Sequence, residues 1–366
     1  MVYRVIGIMS GSSLDGLDIA YVEFQETTGN WSYELKASAC YAFSDEMVDR
    51  LRTAHQLSAV DYHLLHTEFG HYIAGESNRF IRENQLEYKV QLIASHGHTT
   101  FHIPSKKTTG QIGDGAAIAA GTGINVVSDL RAMDIALGGE GAPIVPIGEK
   151  MLFSDYQLFL NIGGIANISF NANGKYLAFD VCAANRVLNL LAKHEGYDFD
   201  DDGVLSSQGS LNNSTLNTLN ELEYYHGGYP KSLANSFGTD IVYPLIRGTG
   251  NTRDVMRTYV EHIAQQTSGA VQKLLNDVEA DPSPRKMLVT GGGAHNSFLV
   301  QRIREALQPS NVELVVPSKQ IIEFKEAIVM ALIGVLRWRE EYNVFSSVTG
   351  ASRNSIGGAV WIGQEA

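Results

Sequence analysis

The residues of this 366-residue chain that could do chemistry fall into a few short clusters, the first being Ser10-Gly11-Ser12-Ser13-Leu14-Asp15-Gly16-Leu17-Asp18. Glycine permits positive φ and close backbone approach, and small hydroxyl residues with free N–H groups can line a concavity for phosphate oxygens. Asp15 or Asp18 would then face a metal ion. The same composition suits an ordinary β-hairpin turn. The stretch matches neither G-x-x-x-x-G-K-[ST] nor a G-x-G-x-x-G that opens a helix. If it binds phosphate, it does so between two strands.

Four further clusters follow. Ser95-His-Gly-His-Thr-Thr-Phe-His102 invites a zinc reading, but its histidines lack the carboxylate arrangement of H-E-x-x-H. A polar loop at the carboxyl end of a strand is where ligands bind in open α/β sheets, which makes His98 and Thr99 substrate candidates. Asn161-Ile-Gly163-Gly164 repeats the small-residue loop of the first cluster. Asp180 is expected at a strand end immediately before an apolar helix, where it could cap the helix or serve as a general base. Gly291, Gly292 and Gly293 stand at a strand-to-helix junction. A plain turn there needs one glycine, and three would let a flat group such as a purine lie against backbone. Arg131 is either a surface residue or a bidentate clamp on a ligand. Glu326, expected at the start of a helix, would be favoured there by the helix dipole alone.

The elements that must position these residues are legible in outline. An apolar run (Val5, Ile6, Ile8), the first cluster and the alternating Leu17, Ile19, Tyr21 read as strand, loop, strand, with a third strand over 31–43. Residues 45–85 carry helical spacing, 92–94 a short buried strand, 115–122 a helix capped by Asp114, and 125–128 a strand. The second half opens with strand, glycine loop, strand, an Asn173-Gly174 hairpin turn and a strand over 176–179. The echo of the first three strands is architectural. Residues 198–213 read as an exposed loop, 255–278 as a helix followed by Pro282 and Pro284, 287–290 as a buried strand, and 322–337 as a helix. The closing residues 347–361 are expected to return to the first lobe.

Length favours two domains or two lobes. A hydrophobic fraction of 44% supports large cores, and a net charge of −12 argues against nucleic acid or anionic membranes as partners. A small polar substrate is more natural. Cys40 and Cys182 form no C-x-x-C, so neither a disulfide framework nor a thiolate metal site is suggested. The N-terminus lacks the pattern of a signal peptide, and no apolar run approaches the roughly 20 residues of a membrane span, which points to a cytoplasmic protein.

Several segments in fixed order resemble the anhydro-N-acetylmuramic acid kinases of the actin, hexokinase and heat-shock ATPase superfamily. These are GIMSGSSLDGLDIA at 7–20, ASHGHTTFH at 94–102, IGDGAAIAAGTGINVVSDLR at 112–131, GEGAPIVP at 139–146, NIGGIANIS at 161–169, TGGGAHN at 290–296 and SVTGA at 347–351. The resemblance implies an α/β fold of two lobes, each a ribonuclease H-like mixed sheet flanked by helices, with the active site in the cleft between them. The first lobe would be 1–130 with 344–366, and the second 131–343. ATP would place its phosphates at Gly11 to Asp18 and at Asn161, Gly163 and Gly164, with adenosine near Gly291 to Gly293 and Mg2+ at Asp15 or Asp18. The implied reaction takes 1,6-anhydro-N-acetylmuramic acid, ATP and water to N-acetylmuramic acid 6-phosphate and ADP, a step of peptidoglycan recycling. Asp180 matches the base, which would activate water on the face opposite the breaking bridge, as an inverting glycosidase does. Thr99, Arg131 and Glu326 match sugar contacts, Arg131 pairing with the lactyl carboxylate, and His98 stays a substrate candidate by its place at the strand end. A homodimer is implied by resemblance alone.

One segment departs from the family's pattern: Val181-Cys-Ala-Ala184 stands where the family often carries Thr-Gly-Pro-Gly after the base. A non-catalytic ATP-binding regulator on the same fold, and a kinase for another sugar, are the alternatives.

Overall fold

The computed structural model describes residues 1–172, 175–229, 231–234, 236–276 and 284–363. The Asn173-Gly174 turn and Pro282 lie outside them. Among the described residues the strands are β1 (Val2–Ser10), β2 (Gly16–Thr27), β3 (Asn30–Ala42), β4 (Leu92–Ile103), β5 (Thr108–Ile112), β6 (Val126–Ser128), β7 (Leu158–Ile162), β8 (Ile165–Ala172), β9 (Lys175–Ala183), β10 (Arg285–Thr290), β11 (Val312–Val315) and β12 (Ala359–Trp361).

The chain divides into two compact units, Met1–Ser154 with Phe324–Ala366, and Asp155–Glu323. These borders replace the expected 130/131 and 343/344. The glycine-rich stretch after Arg131 is not a linker, because the short Ala132–Ala136 and Pro146–Leu152 helices and most of the Lys319–Trp338 helix pack within unit 1.

Unit 1 holds a seven-stranded sheet of order β12-β6-β4-β1-β2-β3, with β5 paired to β4. β1, β2 and β3 form an antiparallel meander, while β4 runs parallel to β1 and β6 parallel to β4. Unit 2 has the order β11-β10-β7-β8-β9, again an antiparallel meander (β7, β8, β9) with β10 and then β11 added in parallel beside its first strand. Leaving aside β5 and β12, the two sheets share one order, third-second-first-fourth-fifth. This is the ribonuclease H-like mixed sheet, present twice.

Central strands in such sheets are covered on both faces and read as apolar runs. Met287, Leu288 and Val289 of β10, at 0–1% exposure, show it. In unit 1 the Lys319–Trp338 helix lies directly on β1. A Cβ at Gly7 would come within 1.9 Å of the Ala327 carbonyl oxygen, so only glycine permits this approach. Ile328, Val329, Leu332, Ile333 and Leu336 of that helix are fully buried, each contributing about 1.5–3 kcal/mol by removal from water. The closing strand β12 pairs antiparallel with β6, which returns the chain to unit 1 as expected.

Several local expectations need correction. The histidine segment is not a loop: β4 continues to Ile103 and forms a hairpin with β5, accommodating Gly97 at φ +70°. Residues 198–213 are not a plain exposed loop. Buried Asp200 accepts the amides of Leu205 and Ser206, which organises a 3-10 turn and the Val204–Ser207 helix. Glu326 is not in a first helical turn, since its helix starts at Lys319.

Candidate active site

In unit 1 the Ser/Gly/Asp cluster is the turn between β1 and β2. Leu14 N–H donates to the Gly11 carbonyl at 3.3 Å, and Leu14 adopts φ +59°. Ser12, Ser13 and Asp15 are exposed, and the Ser13 hydroxyl donates to Asp15 Oδ1 at 2.7 Å. Asp18 is half-buried in β2, opposite Met9. Gly16 and Leu17 have packing roles. A Cβ at Gly16 would meet Cys40 Sγ at 2.7 Å, and Leu17 is fully buried in the core.

The turn is tied to the histidine strand by its neighbour. Ser10 Oγ and His98 Nδ1, both buried, lie 2.9 Å apart where β1 and β4 pair. Burial pushes the His98 pKa down to about 4. Thr99 Oγ1 accepts from Gln111 Nε2 at 3.2 Å across the β4–β5 hairpin. Arg131 stands at the start of the Ala132–Ala136 helix, its Nε–H donating to His96 Nε2 at 2.7 Å, and the charge of Glu326 acts on it. The histidines do not converge on a metal: His96 is engaged by Arg131, His98 by Ser10, and His102 by Thr109.

In unit 2 the two glycine loops meet. β7 and β10 pair in parallel with Thr290 opposite Asn161, so both loops leave the same sheet end. Gly291 has φ +81°, and a Cβ there would lie 2.7 Å from Asn161 Oδ1 and 2.8 Å from the Ile162 carbonyl. Asn185 joins them, donating from Nδ2 to the Ile162 carbonyl at 3.1 Å and from its amide to the Gly163 carbonyl at 3.1 Å. Asn161, Gly163, Gly164 and Gly291 to Gly293 therefore form one backbone-lined turn cluster.

Asp180 is not a helix cap. β9 runs three residues beyond it to Ala183, and the Asn185–His194 helix takes Ala184 as its N-cap, without a side-chain cap bond. Val181, Cys182, Ala183 and Ala184 are all buried, the first three at the end of β9, so the segment that departs from Thr-Gly-Pro-Gly packs into the core. Asp180 itself is half-buried and held from the 231–234 segment. Leu233 N–H donates to its Oδ2 at 2.8 Å, its own amide donates to the Lys231 carbonyl at 3.1 Å, and the Tyr224 hydroxyl donates to its carbonyl at 2.6 Å. Burial pushes the Asp180 carboxyl above the usual carboxylate range, against the lowering effect of the Leu233 amide. A desolvated carboxylate of raised basicity, fixed by backbone, is suited to accept a proton.

Gln111, Tyr224 and Leu233 were missed in the sequence. The last acts through a backbone N–H, which no residue type advertises. Asn185 carried a usable signal, the first polar residue after the buried run Val181 to Ala184.

A ribonuclease H-like sheet present twice, with a hydroxyl-rich hairpin in one unit and a desolvated carboxylate and a glycine-lined turn in the other, fits the actin, hexokinase and heat-shock ATPase fold class. The family model described as anhydro-N-acetylmuramic acid kinase matches residues 3–363. Proteins of that name from Hydrogenovibrio crunogenus (31% identical, 97% of this chain and 97% of the relative), Methylobacterium nodulans (33%, 97% and 98%) and Vibrio cholerae (33%, 97% and 97%) are similar along nearly their whole length. The chain belongs to the anhydro-N-acetylmuramic acid kinase family.

Proposed function

We propose that this chain opens the bridge of 1,6-anhydro-N-acetylmuramic acid with water and phosphorylates the freed O6 from ATP, giving N-acetylmuramic acid 6-phosphate and ADP in the recycling of peptidoglycan. The observation that carries the reading is Asp180, a carboxylate raised in pKa by burial and aimed by the Leu233 amide in a family of this substrate name. Asp180 would take a proton from the water that attacks the anomeric carbon. As the C1–O6 bond breaks, O6 would take the γ-phosphoryl group, so no acid need protonate it.

The residues present fit ATP. The Gly291–Gly293 turn offers backbone without side chains, against which a flat base could lie, and at Gly292 an added Cβ would meet only Asn185 Nδ2, at an ordinary contact distance of 3.5 Å. Gly164 and the exposed Ser12 would offer N–H and hydroxyl donors to phosphate oxygens, beside Gly163, whose N–H goes to the Ile165 carbonyl at 3.2 Å, and Ser13. Mg2+ keeps several waters and uses one or two carboxylates with substrate phosphates, which Asp15 or Asp18 can supply. ATP with Mg2+ supplies the phosphoryl group and neutralises its charge. In unit 1, Thr99, His98, Arg131 and Glu326 would hold the sugar, the Arg131 guanidinium pairing with the lactyl carboxylate.

Asp180→Asn tests the reading. Loss of a general base costs typically 10²- to 10⁴-fold, so turnover should fall by about that factor with ATP affinity within twofold of the parent. Retained full activity would remove Asp180 from the role. Among the described residues no helix is long and apolar enough to cross a membrane. On this reading the chain works in the cytoplasm, where ATP is available, and as a homodimer, which sedimentation would report.

A further inference from the structure

Arg131 is a buried cation with no ion pair at contact distance among the described residues. Its Nε–H and Nη1–H go to two uncharged acceptors, His96 Nε2 at 2.7 Å and the Gly141 carbonyl at 3.0 Å. Among the described residues no carboxylate lies within 4.0 Å of it, and Glu326 acts only through space. Burial lowers its pKa. A desolvated cation without a counter-ion is costly unless a ligand supplies the anion. Three of the five guanidinium N–H groups remain, Nη2 with the second hydrogen of Nη1, and they form the forked edge that takes a carboxylate bidentately.

Both acceptors are themselves fixed. His96, 2% exposed, donates from Nδ1 to the Gly97 carbonyl at 2.9 Å, which leaves Nε2 unprotonated and able to accept. Burial, with Arg131 adding to it, holds the His96 pKa near 3, so the ring stays neutral. Behind Gly141 stands Asp134, 1% exposed, which accepts the Gly141 amide on Oδ2 at 2.8 Å and the Thr349 hydroxyl on Oδ1 at 2.7 Å. The guanidinium is therefore held from two sides by groups whose own orientation is set.

We propose that His96, together with the Thr349–Asp134–Gly141 relay, positions Arg131 so that its free edge meets the substrate's carboxylate. This rests on the sugar-kinase reading above and adds to it the residues that set affinity for the acidic sugar. None of them touches the sugar in this account.

The test is steady-state kinetics on the full chain with ATP and 1,6-anhydro-N-acetylmuramic acid. Losing a hydrogen bond to a charged group corresponds to about a 10-fold or larger change in an equilibrium constant. His96→Ala should raise the KM for sugar about 10-fold, with the KM for ATP within twofold, and His96→Gln, whose amide oxygen can accept from Arg131, should recover most of it. A general loss of folding would lower the apparent kcat without moving either KM and would not be rescued by glutamine. Should His96→Ala fail to fold, Thr349→Val carries the test, since it removes one hydroxyl and contacts neither Arg131 nor His96. A sugar KM raised about threefold with unchanged ATP KM upholds the proposal, and an unchanged sugar KM overturns it. Arg131→Ala separates the two levels. If it leaves the sugar KM unchanged, the assignment of Arg131 fails and this inference falls with it. If it raises the sugar KM while His96→Ala does not, this inference alone is overturned.

Discussion

Alanine placed in turn at Gly291, Gly292 and Gly293 should produce three different outcomes from three adjacent glycines. Gly291 sits at φ 81°, ψ 166°, a region held almost only by glycine, where a side chain costs about 1–3 kcal/mol. Its new Cβ would also lie 2.7 Å from Asn161 Oδ1 and 2.8 Å from the backbone of Ile162, closer than real contacts allow. Together these put Gly291→Ala at about 3 kcal/mol or more, and a unit of this size loses about 2–4 °C of midpoint per kcal/mol. At Gly293 the clash is with the Ile162 side chain, 2.3 Å from Cγ2, an overpacking cost of about 1–3 kcal/mol. At Gly292 the nearest atom is 3.5 Å away, so alanine should stay within about 0.5 kcal/mol. Thermal and denaturant unfolding rank the three, and equilibrium ATP binding reads the ligand side. Gly292→Ala should weaken ATP about fivefold while its unfolding matches the parent. Destabilisation by Gly292→Ala equal to that by Gly291→Ala would refute the geometry. Unchanged ATP affinity in a stable Gly292→Ala protein would take the turn away from the nucleotide.

Two further predictions concern protons. Burial depresses the pKa of His96 to about 3, His98 to about 4 and His262 to about 3, while in the unfolded chain each titrates near 6.5. The unfolded state therefore binds more protons below that pH. Stability should be full above about pH 7.5 and fall on acidification with a slope approaching about 1.4 kcal/mol per pH unit for each ring, or about 3 kcal/mol for the three between pH 6.5 and 5.5. Urea titrations at pH 7.5, 6.5 and 5.5 measure the slope, His262→Gln should remove about a third of it, and a flat profile would contradict the burial argument. Asp180 has the opposite sign. Its folded pKa is raised, so its ionisation costs stability as pH rises from the unfolded value through the folded one. Asp180→Asn can still accept the Leu233 amide and should raise the unfolding midpoint at pH 7.5, with the gain shrinking towards pH 4.5. A lowered midpoint at pH 7.5 would mean that the carboxylate is stabilised where it sits.

Where the information is local, the sequence carried it. The alternation through Leu17, Ile19 and Tyr21 marks β2, Asp114 caps the Gly115–Thr122 helix through the Ala116 amide, and the run Met287–Val289 marks a central parallel strand. The repeated strand-loop-strand pattern announced the second sheet. Pairing partners were less legible. The histidine segment reads as a loop because its polar residues break the apolar run, yet β5, ten residues on, supplies a hairpin that keeps it in the sheet. The same limit hides Leu233, whose contribution to Asp180 is an amide 53 residues away. It also hides the unit borders, because the glycine-rich residues after Arg131 look like a linker until Asp134 is seen to bind both Gly141 and Thr349. His96 was visible only as one of three histidines, and the bond from Arg131 gives it a different role from the other two.

The most direct measurement is turnover of ATP and 1,6-anhydro-N-acetylmuramic acid in ¹⁸O-labelled water, with product analysed by mass spectrometry. The proposed reaction gives ADP, a sugar phosphorylated on O6 and one labelled oxygen on the anomeric carbon, with loss of all three in Asp180→Asn. Phosphorylation without label at the anomeric carbon, or no ADP at all, would contradict it.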